Sequence, residues 1–421
     1  MCRTYRSRHC DDPRPSGLAK SLRRAFVVIL AAMPLMAASR PVEISPAPPP
    51  LDQPVLGRFD YAGLIHVHTG HSDDARGDYA GRARAAAGHG IRFIVITDHN
   101  TLGPGVARGD AWRDGVLMLT GLESSRPEGH LLAVGMETAP LSPETPTDAF
   151  LASVTGQGGL AVLAHPTHRK WAWEGPIDDR IGAMEILDLA DQFAASSATD
   201  KITALAGLPV TGPRAYLTMA TRPDTALALW DTIGQRRRMV GLYAPDIHEA
   251  IEVSDDNKIP FPPAGDIMRL ARDHVLTSRP LSGDVMSDRA VLLDAIGQGR
   301  VYVSLDILGD GRGFDFAALS GSARVEMGAE TQVGGPRRFE VTLPRHARRL
   351  QASIRLLRNG QVVSTSAPSA TSLSYSDARP GVYRVEVLVP AEVVRTSSKD
   401  VVWIYSNPVY VRSGPNPSRA H

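Results

Sequence analysis

At 421 residues, 43% hydrophobic and 22% charged, the chain is the size of two ordinary domains and has the composition of a folded globular protein, which excludes the disordered and fibrous classes. A formal charge of +1 gives no support to a strongly basic nucleic-acid-binding surface. Both cysteines, Cys2 and Cys10, precede residue 39, so a chain processed there holds no disulfide or thiolate site, and any metal falls to His, Asp and Glu.

Residues 1–39 end in "SLRRAFVVILAAMPLMAAS", with Arg23 and Arg24, an apolar run from Ala25 to Ala38, and small residues at its close. That order predicts a signal peptide cleaved near Ala38 or Ser39, placing the mature protein in the periplasm or outside the cell. Left uncleaved, the segment would be a membrane anchor, although it falls short of the roughly 20 residues a spanning helix wants. No later stretch reaches spanning length. Residues 40–58 form a Pro-rich linker.

From 59 to 315 short β-branched runs alternate with Ala-rich stretches. "AGLIHVH", "IRFIVITD", "GVLMLTGLE", "GLAVLAHP", "AMEILDL" and "RMVGLYAPD" predict strands. Helices are predicted near Asp78–Gly88, Asp148–Thr155, Asp224–Arg236, Ala264–His274 and Ser287–Gly297. The alternation indicates an α/β fold, a parallel sheet or barrel whose continuously apolar strands are covered on both faces. From 320 to 412 the pattern is β-rich with turn signals such as Arg358-Asn359-Gly360, predicting a small all-β, immunoglobulin-like sandwich. Residues 413–421 are expected to be a disordered tail.

Polar residues gather where the apolar runs end. His66 and His68 lie two apart, on one face of a strand, and Asp73 follows in the loop. Asp98 and His99 end the second run, Glu123 the third, with His130 shortly after; His165 ends another, and Asp246 and His248 the last. Six of the thirteen histidines occupy such places, on the rim where α/β barrels assemble their sites. The set exceeds what one metal needs and implies two or three divalent ions, with zinc, manganese and iron all compatible with these donors.

In order, "HVHTGHSD", "ITDHNT", "GLE", "GH", "AHP" and "PDIH" resemble the PHP (polymerase and histidinol phosphatase) family over roughly residues 60–310. The resemblance implies a distorted (β/α)7 barrel with a two- or three-metal centre that hydrolyses phosphomonoesters or phosphodiesters. It implies as ligands His66, His68, Asp73, His99, Glu123, His130, His165, Asp246 and His248, with Asp73, Glu123 and His248 nearest the chemistry and Asp98 behind them, orienting a histidine or the loop. The chain departs from the family in Asp74, where Gly is frequent, in Ala244-Pro245 before Asp246, and in the short interval between Glu123 and His130. His130 is also compatible with a simple hydrogen bond to backbone. His71, Arg169 and Lys170 either meet a substrate phosphate or are solvated loop charges; His89, His274 and His346 are expected to be structural or exposed, and "LGDGRG" at 308–313 a linker. The expected partner is a small phosphorylated molecule, a nucleotide or an oligonucleotide. The alternative is an exported binding protein that keeps the metals as structure and recognises glycan or protein through its sandwich.

Overall fold

The computed structural model describes residue 54 and residues 57–102, 109–138, 142–254 and 257–413. The expected leader lies outside them, as do nearly all of the linker and tail. Among the described residues no helix is long and apolar enough to cross a membrane.

The fold is mixed α/β around one large sheet. Its first half carries β1 (Phe59–Val67), β2 (Phe93–Ile96), a short β3 (Ala111–Arg113), β4 (Val116–Arg126), β5 (Gly129–Val134), β6 (Leu160–Leu163), β7 (Ile181–Asp188) and β8 (Val240–Ala244). Seven of these neighbour one another in the order β1-β2-β4-β5-β6-β7-β8. The sheet is not uniformly parallel, as the alternation had suggested. β4 and β5 form an antiparallel hairpin, and β5 pairs antiparallel with β6. Only Pro127 and Glu128 join β4 to β5, and a connection of that length cannot link parallel strands. At the far end the chain returns to its start: Val67 bridges Ile247, and the His68 N–H donates to the Ile247 carbonyl at 3.1 Å. The sheet thus curls until its first and last strands meet at one bridge, gathering several strand ends on a common rim. At the start of the curl Gly63 lets β1 lie against β2, since a Cβ there would stand 2.1 Å from the Phe93 ring.

Among the described residues the helices are α1 (Tyr79–Gly88), α2 (Thr147–Gly156), α3 (Leu189–Ala195), α4 (Ala198–Thr211), α5 (Asp224–Gly234), α6 (Ala264–Ile267), α7 (Val285–Gly297) and α8 (Ala391–Val394), with 3-10 segments at Gly212–Met219 and Arg345–Leu350. Side-chain caps mark several starts: Asp78 accepts from the Gly81 N–H, and Asp284 from the Ser287 N–H. The helix expected over Ala264–His274 stops after one turn. After a hairpin of β9 (Ile251–Ser254) and β10 (Asn257–Ile259), and then α6, the chain enters β11 (Arg272–Thr277), which pairs antiparallel with the free edge of β1. The open edge of a buried strand needs a partner for its backbone groups, and that need overrides the helical pattern.

β12 (Val301–Ser304) follows β11 and carries the sheet onward. The later strands are β13 (Asp315–Ser320), β14 (Ala323–Glu326), β15 (Glu330–Gln332), β16 (Arg337–Thr342), β17 (Ser353–Arg358), β18 (Gln361–Thr365), β19 (Ser372–Asp377), β20 (Gly381–Val389), β21 (Val401–Ser406) and β22 (Val409–Arg412). β14, β13, β16 and β19 make a second, antiparallel sheet. Its inner face meets the large sheet through Phe339, stacked on Tyr383 with ring centres 4.0 Å apart, and through Phe316, Val341 and Val385 in the same core. β12 pairs directly with β21, so the large sheet runs unbroken from the α/β region into the β-rich one.

One buried charge cluster ties these regions, and a second lies within the first of them. Fully buried Arg384 on β20 grips Asp231 of α5 with two bonds of 2.8 Å and Glu386 with one of 2.6 Å; Glu386 also accepts from Arg222 at 2.7 and 3.0 Å. The second cluster surrounds His274, which is fully buried on β11. Its Nδ1 meets Asp60 of β1 at 2.7 Å and its Nε2 meets Asp306 at 3.2 Å, while Arg272 and Arg312 sit against Asp306 and Asp310. One imidazolium and two guanidiniums balance three carboxylates, so this cluster is complete without a metal.

Burial opposes the charged form of His274, but Asp60 and Asp306 prevail and lift its pKa to about 10. A histidine raised in the folded state stabilises fully below its unfolded value near 6.5 and loses that contribution as pH climbs through about 10. His274→Gln should therefore cost roughly 3–5 kcal/mol at pH 6. Urea unfolding of both proteins should show that gap narrowing steadily from about pH 6.5 to 10.

Candidate metal centre

The rim of the curled sheet gathers five imidazoles around one carboxylate. On β1 the register slips between Leu64 and Val67, and His66 takes a left-handed backbone with φ +73°. This bulge brings the fully buried rings of His66 and His68 to 5.1 Å between centres, facing the same carboxylates. His165 and Asp246 also have positive φ, at +25° and +43°. Such backbone costs on the order of 1–3 kcal/mol per residue and collects at functional sites.

Glu123, 1% exposed, sits at the centre. Its Oε2 lies 3.1 Å from His66 Nε2, 3.2 Å from His68 Nε2 and 3.2 Å from His99 Nδ1. Its Oε1 lies 2.7 Å from His130 Nδ1 and 3.0 Å from His165 Nε2. The short interval between Glu123 and His130 is the β4–β5 hairpin, which folds His130 back across Glu123. Asp246 Oδ1 stands 3.2 Å from His66, 3.3 Å from His68 and 3.3 Å from His248.

Asp73 is placed differently from expectation. Its side chain is exposed, and Asp74 turns inward instead, with Oδ2 at 3.3 Å from both His99 and His248. Two successive tight turns, Ser72 N–H to Thr69 O and Ala75 N–H to Ser72 O, set the chain one residue out of the simple strand-to-loop phase. His71, Arg169 and Lys170 are all exposed. Lys170 lies 4.5 Å over the Trp171 ring, which stacks on His130 at 5.3 Å, so the basic pair borders the rim. His168 organises that turn, its Nδ1 accepting from the Lys170 and Trp171 N–H groups.

Behind the imidazoles stand fixed partners. His66 Nδ1–H donates to Glu185 at 2.7 Å, and the other Glu185 oxygen accepts from the His165 N–H. Asp98 accepts from the Thr69 N–H, the Thr69 hydroxyl and the Ser72 hydroxyl. The Ser72 oxygen in turn accepts from His68 Nδ1–H and the His99 N–H, both at 3.0 Å. These bonds set the tautomers and aim the Nε2 lone pairs of His66 and His68 inward.

Those lone pairs face carboxylate oxygens, acceptor against acceptor, in a buried space. His68 Nε2, His99 Nδ1, Asp246 Oδ1 and Asp74 Oδ1 are buried without a hydrogen-bond partner. Donor atoms around a tetrahedral ion at about 2.0–2.1 Å lie about 3.3 Å apart, the separation seen here. Burial pushes the Asp188 carboxyl well above its usual range, with Asp246 and Glu185 adding to it, a surplus of negative charge that cations relieve. The residues fit divalent ions in adjoining sets, His66, His68 and Asp246; Glu123, His130 and His165; His68, His99 and His248, and Glu123 Oε2 also reaches His66, His68 and His99 of the other two.

Glu185, Asp188, Ser72 and Asp74 were not expected as members. Glu185 left one signal, a lone carboxylate inside the apolar run "AMEIL", where an unpaired charge would be costly. Glu185→Gln should weaken metal binding about 10- to 100-fold by loosening His66, as read by competition with a chromogenic chelator.

No family model matches the chain, and no curated protein matches it. A crystal structure from Bacteroides vulgatus, of a two-domain protein containing a predicted PHP-like metal-dependent phosphoesterase, is similar with a TM-score of 0.40 and 13% identity, over 84% of this chain and 97% of that one.

Proposed function

We propose that the chain is a metal-dependent phosphoesterase holding two or three divalent ions, and that it acts outside the cytoplasm as its N-terminal leader suggests. The observation that carries the first part is Glu123, with five imidazole nitrogens between 2.7 and 3.2 Å from its two oxygens and Asp246 and Asp74 completing the ring. This is more donor capacity than one ion uses, arranged around a shared carboxylate.

Divalent ions in these sets supply Lewis acidity towards phosphate oxygens and lower the pKa of water towards neutrality. The chain's own groups do the rest. Glu123 joins the adjoining sets, Glu185 holds His66, and the Asp98–Ser72 pair holds His68. His248, between Asp246 and Asp74, completes the set with His68 and His99. Arg169 and Lys170 at the rim meet the negative charge of an arriving phosphate. No serine or cysteine nucleophile is required.

The test is a panel of phosphomonoesters and phosphodiesters offered to protein loaded with manganese, zinc or iron(II). Hydrolysis that a chelator abolishes and added metal restores is the expected result. Protein that retains two or more ions and turns over no ester would contradict the proposal and favour a metal-stabilised binding role.

A further inference from the structure

A cavity of about 290 Å³ opens against the metal centre at Asp246 and His248. Its walls are mainly apolar and include Leu187 and Tyr243 of the sheet, Tyr216 and Leu217 of the 3-10 segment, Phe261 and Leu270 on either side of α6, and Val402 and Tyr405 of β21. The volume is roughly twice the ~150 Å³ of an apolar cavity that admits benzene.

Most of the polar side chains on its wall are already engaged. The Gln192 side-chain oxygen accepts from the Thr221 N–H and hydroxyl, Arg222 is paired with Glu386, and Glu249 with Arg82. A sugar or nucleoside would bring hydroxyls and ring nitrogens into a chamber with little left to bond them, which costs about 1–3 kcal/mol per stranded group. The hydroxyls of Tyr216 and Tyr243 are without partners, but both are buried within the wall. At the edge, Phe193 is 38% exposed, with Lys201 4.7 Å over its ring.

We infer that this cavity receives the hydrocarbon part of the substrate, so that the ester hydrolysed is the phosphate of an alkyl or acyl-bearing alcohol rather than of a sugar or nucleoside. The inference rests on the phosphoesterase reading for what happens at the metals, but the cavity's preference is a binding property of its own. The phosphate lies at the Asp246–His248 end, and the hydrocarbon fills the apolar part of the cavity beyond it. It also gives the C-terminal region a part in recognition, since β21 supplies one wall.

The test uses metal-loaded full-length protein and alkyl phosphonates, whose carbon–phosphorus bond is not hydrolysed, with calorimetric titration as readout. From methyl- to butylphosphonate, and on to octylphosphonate until the cavity fills, affinity should rise by about fourfold per methylene at full burial. Ala220→Phe, or Ala190→Phe if the first fails to fold, should bring octylphosphonate to within a few-fold of methylphosphonate while metal content stays at the wild-type level. Methyl-, butyl- and octylphosphonate binding within twofold of one another would overturn the inference, as would an undiminished chain-length slope in both filled variants. Turnover of the ester panel is scored separately, so a flat slope with active hydrolysis removes only the chain preference. A steep slope without hydrolysis removes only the enzymatic reading.

Discussion

Glu123→Gln should reduce the metal content from two or three ions per chain to at most one, and lower turnover by about 10³-fold or more. The substitution keeps the size of the side chain but removes the charge that both halves of the centre share. One oxygen now serves His66, His68 and His99, and the other His130 and His165. A glutamine offers one weak acceptor and turns an N–H₂ donor towards the opposite imidazoles, so one half of the centre loses its ligand outright. The double variant His66→Ala with His68→Ala should also lose at least one ion, since it empties the set shared with Asp246. Metal analysis with far-UV circular dichroism separates loss of the ions from loss of the fold. An unchanged spectrum with depleted metal is expected. Full metal content in Glu123→Gln would mean that Glu123 is a neighbour and not a bridge.

Arg384→Met should cost about 3–5 kcal/mol of stability while leaving the metal content alone. Arg384 is fully buried and holds Asp231 through a two-pronged pairing, the geometry in which a guanidinium is hardest to replace. Removing it leaves the Asp231 carboxylate enclosed without a counter-charge, whereas Glu386 keeps Arg222. Asp231→Asn combined with Arg384→Met should recover part of the loss, because the stranded charge is then gone as well. Urea denaturation reads both variants; a single-variant cost below 1 kcal/mol would show that this network does not tie β20 to α5.

The rim was legible where a polar residue closes an apolar run. His66, His68, His99, His165, Asp246 and His248 stand at or just past strand ends, Glu123 lies three residues short of the end of β4, and the structure brings their side chains together. Asp74 was hidden because the choice between it and Asp73 depends on two tight turns that shift phase by one residue, and a shift of one exchanges inside for outside. Glu185 was hidden because a carboxylate behind a ligand has no pattern of its own: its partner, His66, lies on another strand. The hairpin from β4 to β5 was missed where a two-residue turn left no Gly-Asn signal, and with it the antiparallel stretch of the sheet. α3 and α4 were missed because Ser196, Ser197 and Pro209 interrupt their periodicity, although Ser197 in fact caps α4. The joining of β12 to β21 lay beyond any local pattern, since it pairs strands about a hundred residues apart. His274, read as structural or exposed at a helix end, is buried in a strand for a related reason: its partners Asp60 and Asp306 come from other elements.

The central claim is that the histidine–carboxylate rim is a multinuclear metal centre. The most direct measurement is the number of divalent ions per chain after loading and gel filtration, in wild type and in the His66→Ala/His68→Ala variant. Two or three ions in the wild type, falling by at least one in the variant, is the predicted result. No bound ion in the wild type, or the same number in both proteins, would contradict it.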